Sequence, residues 1–69
     1  MVNGAKIKTL MNERGISNRE MAQTAGLSEA MMTYVTQELR EPNVTALARI
    51  AKKLDCTVDE LINTKREES

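Results

Sequence analysis

Apolar residues recur at three- and four-residue intervals from Ile7 to Ile62, and no stretch alternates in the two-residue period of a strand. The pattern predicts five helices. The first spans about 5–14, with Ile7, Leu10 and Met11 on one face and Gly15 as a left-handed stop. The second opens at Ser17, where Glu20 completes a capping box and Ile16 with Met21 can form a hydrophobic staple. It buries Met21, Ala22 and Ala25 and stops at Gly26. The third opens at Ser28 and places Met32, Val35 and Leu39 on a buried stripe. Pro42 disfavours helix in the residue before it, so the break falls around 40–42. The fourth is capped by Asn43 and spans about 44–54. It buries Leu47, Ile50, Ala51 and Leu54, leaves Arg49, Lys52 and Lys53 on the polar side, and hands over to a left-handed Asp55. The fifth is short, boxed by Thr57 and Glu60, with Val58, Leu61 and Ile62 apolar.

This predicts an all-α fold in one domain over 1–69, with an ordered core at about 5–63 and a polar tail, 64–69, that frays. Composition narrows the chemistry. The sequence has no histidine and a single cysteine, Cys56. That removes an internal disulfide, a zinc site of the usual ligand types, and catalysis built on histidine. No metal, cofactor or enzymatic activity is expected. Cys56 and most of the five methionines read as core filler, with Met31 the one expected to be exposed. No apolar run approaches the roughly 20 residues of a membrane helix, and no signal-peptide pattern opens the chain, so a cytoplasmic location is expected. Ten basic and ten acidic side chains give zero net charge, which argues against the commonest electrostatic signature of nucleic-acid binding.

The spacing of the second and third helices argues the other way. Both are short and amphipathic, and they are separated by a turn centred on Gly26, as in a helix-turn-helix whose second helix enters the major groove. At 100° per residue, Ala30, Thr33, Tyr34 and Gln37 point away from the buried stripe, with Glu29 and Met31 on the flanks. Tyr34 is the only aromatic residue of the chain. Helix corners with this spacing also occur in proteins that never touch DNA, so spacing alone leaves a plain solvated face open.

Longer strings carry more. Ile-Lys-Thr-Leu-Met-Asn-Glu-Arg-Gly-Ile-Ser at 7–17 is followed by Glu-Met-Ala-Gln-Thr-Ala-Gly-Leu-Ser at 20–28. Then come Pro42-Asn43, Leu-Ala-Arg-Ile-Ala-Lys-Lys-Leu at 47–54 and Val-Asp-Glu-Leu at 58–61. In these pieces the chain resembles the phage-repressor and Cro type of helix-turn-helix family, the xenobiotic-response-element-like DNA-binding domains. The resemblance implies a five-helix DNA-binding domain, usually a homodimer on a palindromic operator.

Three departures from the family pattern stand out. Asn18 replaces a common phosphate-holding Gln. Glu38 stands where Gly usually follows the recognition helix, and with Leu39 and Arg40 after it a longer third helix is expected. Met11 and Thr36 stand where many members pair an Arg with a Glu; both partners are absent together, which reads as an ion pair exchanged for packing.

Under the DNA reading, Ser28, Glu29, Ala30, Thr33 and Tyr34 face bases, and Asn18, Arg19, Gln37, Arg40 and Asn43 face phosphates. Glu38 and Glu41 beside Arg40 are expected to weaken its field. Residues 1–53 carry a net +3 and residues 54–69 a net −3, so the acidic charge can face away from DNA. Few phosphate-neutralising groups predict a shallow salt dependence, and a dimer doubles the footprint. Leu39, Val58 and Ile62 are the candidate dimer surface, or equally part of the core. The function expected is a small transcriptional regulator, a repressor acting by occupying its operator. The alternative is a protein-interaction module on the same fold, antitoxin-like or an anti-repressor partner, which zero net charge, Glu29 and Glu38 favour.

Overall fold

Each helix among the described residues starts on a polar side chain that replaces a missing backbone partner. In the computed structural model, which describes residues 2–62, the helices are α1 Gly4–Arg14, α2 Asn18–Ala25, α3 Glu29–Thr36, α4 Val44–Lys53 and α5 Val58–Leu61. Asn3, Ser17, Ser28, Asn43 and Thr57 precede them. Each accepts a hydrogen bond from the backbone N–H three residues on. Such caps are worth about 1 kcal/mol apiece, a sizeable share for helices of two to three turns.

Four helices also end alike. Gly15, Gly26, Glu38 and Asp55 adopt positive φ, at 66°, 74°, 64° and 58°. In each case that residue's amide bonds back three residues and the next amide bonds back five. After α2 these are Gly26 to Gln23 at 3.3 Å and Leu27 to Ala22 at 2.9 Å. After α3 they are Glu38 to Val35 at 3.1 Å and Leu39 to Tyr34 at 2.9 Å. This closure satisfies carbonyls that the helix leaves open and turns the chain sharply.

The core draws on every helix: Ile7 and Met11, Met21, Ala22 and Ala25, Met32 and Val35, Ala46, Ile50, Ala51 and Leu54, and Leu61. α2 packs on α3 and α4, α1 on α3 and α5, and α4 on α5. A short antiparallel bridge between Val2 and Ile62 closes the described chain, with the Asn3 amide donating to the Leu61 carbonyl at 2.6 Å. Val2 is buried beneath it.

Several expectations need correction. α3 is not extended: it stops at Thr36, because the left-handed Glu38 takes the chain out of helical register. Leu39 consequently leaves the stripe that Met32 and Val35 share and is 66% exposed. α1 begins one residue earlier than predicted, on an Asn3 cap. The box at Ser17 is half-formed: Ser17 Oγ accepts from the Glu20 amide, while the Glu20 carboxylate pairs with Lys53 Nζ at 3.0 Å, joining α2 to α4. The box at Thr57 and Glu60 is complete. Leu47 and Val58 are half-buried, Ala46 is the unexpected core residue of α4, and Met31 packs against the core rather than facing solvent. Ile62 lies just outside α5, and the predicted tail lies outside the described residues.

Met11 is fully enclosed, and Thr36 spends its hydroxyl on the Thr33 carbonyl at 3.0 Å. Met11→Arg would therefore bury a cation while position 36 offers it a hydroxyl already engaged and no carboxylate. A loss of about 3 kcal/mol is expected in urea unfolding. An unchanged or higher midpoint would overturn the exchange of an ion pair for packing at this position.

Candidate nucleic-acid interface

α3 presents the face the sequence predicted. Met32 and Val35 point into the core, and Ser28, Glu29, Ala30, Tyr34 and Gln37 are exposed, with Thr33 half-buried at the edge. α2 fixes this helix in place. Its first residue, Asn18, donates Nδ2 to the Glu29 carbonyl at 3.1 Å, so the start of α2 is tied to the first turn of α3. Arg19 Nε lies 4.0 Å from Glu29 Oε2, both side chains well exposed. Apolar contact between α2 and α3 through Met21, Ala22, Ala25 and Met32 does the rest. The turn between them needs the positive φ of Gly26, and a Cβ there would also lie 3.2 Å from Arg49 Nη1.

The hydrogen bonds already made limit what each polar group has left to offer. Ser28 Oγ accepts from the Met31 amide, which leaves its own proton to donate. Thr33 Oγ1 donates to the Glu29 carbonyl at 3.0 Å, so it meets a base with its methyl group or as an acceptor. Asn18 has one amide proton committed and one free. Asn43 accepts the Ala46 amide at 2.7 Å through Oδ1 and keeps its NH2 group for an anion at the start of α4. Ala30 offers only a methyl group. Gln37 caps the end of α3, its amide returning to Thr33. Arg40 sits with its guanidinium carbon 6.0 Å from the centroid of the Tyr34 ring.

Glu38 and Glu41, expected to weaken Arg40, are occupied elsewhere. Glu38 Oε2 accepts the Ala5 amide at 3.3 Å, and both carboxylate oxygens of Glu41 face the Val2 amide at 3.1 and 3.4 Å. α1 has no acidic residue in its own first turn, and Glu38 supplies one from a distance, favoured by the helix dipole. Sequence reading missed this pair of contacts. Their only signal was two acids placed in a turn that otherwise calls for glycine.

Away from this face, Cys56 is half-buried and packs against the core. Burial pushes its thiol up and the nearby Glu60 adds to the effect, both disfavouring the reactive thiolate. Among the described residues no group of His, Cys, Asp and Glu is arranged to hold a metal ion, and no helix is long and apolar enough to cross a membrane.

With the geometry in view, known proteins can be set beside the chain. The HTH-type transcriptional regulator SinR of Bacillus licheniformis is 31% identical over 65 residues, which are 93% of this chain and 59% of that protein. SinR of Bacillus subtilis (strain 168) is 29% identical over the same extent. The chain thus spans about three fifths of the length of these relatives. Among solved structures, a SinR–SinI protein complex superposes with a TM-score of 0.80 at 28% identity, covering 97% of this chain and 66% of the other. SinR in complex with DNA gives 0.76 at 28% identity, covering 87% and 97%. Residues 6–67 match the family model of the Cro/C1-type helix-turn-helix DNA-binding domain, and the chain belongs to that family.

Proposed function

We propose that the chain binds double-stranded DNA in a sequence-specific manner, with α3 in the major groove, and serves in the cytoplasm as a transcriptional regulator that represses by occupying an operator as a homodimer. The observation that carries this reading is the exposed face of α3. It combines a small apolar residue, polar residues with spare hydrogen-bonding capacity and a flanking arginine at each end, and it rests on a helix pair locked by Asn18. Ser28, Glu29, Ala30 and Thr33 are assigned to bases, and Asn18, Arg19, Gln37, Arg40 and Asn43 to phosphates, with Tyr34 on the same outer face beside Arg40. The relative solved with DNA supports the reading. Dimerisation follows from the few base pairs one small module can read.

The test is selection of bound duplexes from a random library by the purified protein, at about physiological salt. A palindrome is expected, with half-sites about one helical turn apart. No enrichment from folded protein would overturn the reading. It would favour a protein-interaction module, a role consistent with zero net charge and with the exposure of Leu39 and Val44. A relative has been solved in complex with a protein partner.

A further inference from the structure

The loop that leaves α3, Glu38-Leu39-Arg40-Glu41, separates its charges by direction. Both carboxylates turn to backbone amides at the start of the chain, Glu38 to Ala5 and Glu41 to Val2. Arg40, between them in sequence, makes no ion pair among the described residues. Its guanidinium lies instead over the ring of Tyr34, which is 42% exposed on the outer face of α3.

We propose that Tyr34 is a positioning residue that holds Arg40 at the C-terminal end of α3 for contact with a DNA phosphate. This rests on the DNA-binding reading above. A free arginine loses rotamer freedom when it engages a phosphate, and a ring contact formed beforehand removes part of that loss. At 6.0 Å the contact is a cation–π attraction and not a hydrogen bond, so it uses none of the N–H donors that a phosphate would take. The ring attracts the cation without neutralising it. The two neighbouring carboxylates would neutralise it, and the Val2 and Ala5 amides engage them instead.

The experiment measures affinity for a duplex recovered by selection, by fluorescence anisotropy from about 50 to 200 mM salt, with the slope of log affinity against log salt as second readout. Arg40→Ala is expected to weaken binding roughly tenfold and to reduce the slope by about one per protomer. Tyr34→Ala and Tyr34→Leu weaken binding by part of that factor, because neither keeps an aromatic face to hold Arg40 in place. Tyr34→Phe keeps it and stays within about twofold of the parent. The double variant Tyr34→Ala with Arg40→Ala is no weaker than Arg40→Ala alone. Thermal melts followed by circular dichroism confirm that each variant is folded. Tyr34→Phe as weak as Tyr34→Ala would show the hydroxyl acting directly and overturn the proposal. So would additive losses in the double variant, or undiminished affinity in Tyr34→Ala. If the parent chain binds no selected duplex, the DNA reading fails and this proposal falls with it; if the parent binds and the cycle is additive, only the proposal falls.

Discussion

Gly4→Ala is expected to lower the thermal midpoint by roughly 15 °C, a loss of about 3 kcal/mol from a domain stable by only on the order of 5 kcal/mol. Gly4 is buried where the start of α1 crosses the end of α3. A Cβ there would run into the Val35 carbonyl oxygen and lie 2.7 Å from the Thr36 oxygen and 2.8 Å from Glu38 Cγ. Two of these three neighbours are backbone, and they belong to the last turn of the recognition helix, so relief requires one helix to move off the other. Gly15→Ala is the informative control. Gly15 has positive φ but nothing within 4 Å of an added Cβ, so its cost is backbone strain alone, about 1 kcal/mol. Equal midpoints for the two variants, in thermal unfolding followed by circular dichroism, would refute the steric account of Gly4.

Ala30→Glu should separate folding from binding. Ala30 is exposed in the first turn of α3, where a carboxylate gains a few tenths of a kcal/mol from the helix dipole. The melting temperature should hold or rise slightly. On the duplex the same carboxylate meets phosphates and base edges with a like charge, at about 3 kcal/mol, or roughly a 100-fold loss of affinity. Anisotropy titration beside a thermal melt checks both halves. Undiminished affinity would remove α3 from the interface, whatever else binds.

Much of the fold was legible because its signals are local. Ser17, Ser28, Asn43 and Thr57 announce helix starts through their own side chains, and Gly15, Gly26 and Asp55 announce ends because glycine and aspartate tolerate positive φ. Glu38 makes the same closure as Gly15 and Gly26 with a residue that gives no such sign, so the end of α3 was read too late and Leu39 was placed inside. What permits a glutamate there is non-local: its carboxylate finds the Ala5 amide across the helix pair. Val2 and Gly4 were missed for a related reason. Their burial comes from partners near residues 35, 41 and 62, which no window of neighbouring residues contains. For the interface, helical periodicity was enough to find the outer face of α3. It could not show that Asn18 and Thr33 already spend donors on the Glu29 carbonyl, or that Arg40 escapes its acidic neighbours.

The bridge between Val2 and Ile62 bears on how the molecule assembles during synthesis. α5 has four residues, too few to persist as a helix in water by itself. It settles only on a surface that α1 and α4 have already formed. Val2 therefore finds its partner only after every helix between the two has been synthesised. Until then the Glu41 carboxylate and the start of α1 are without their final surroundings. A nascent chain halted before residue 57 should hold its recognition helix loosely, so a four-residue helix made late sets the shape of a face built well before it.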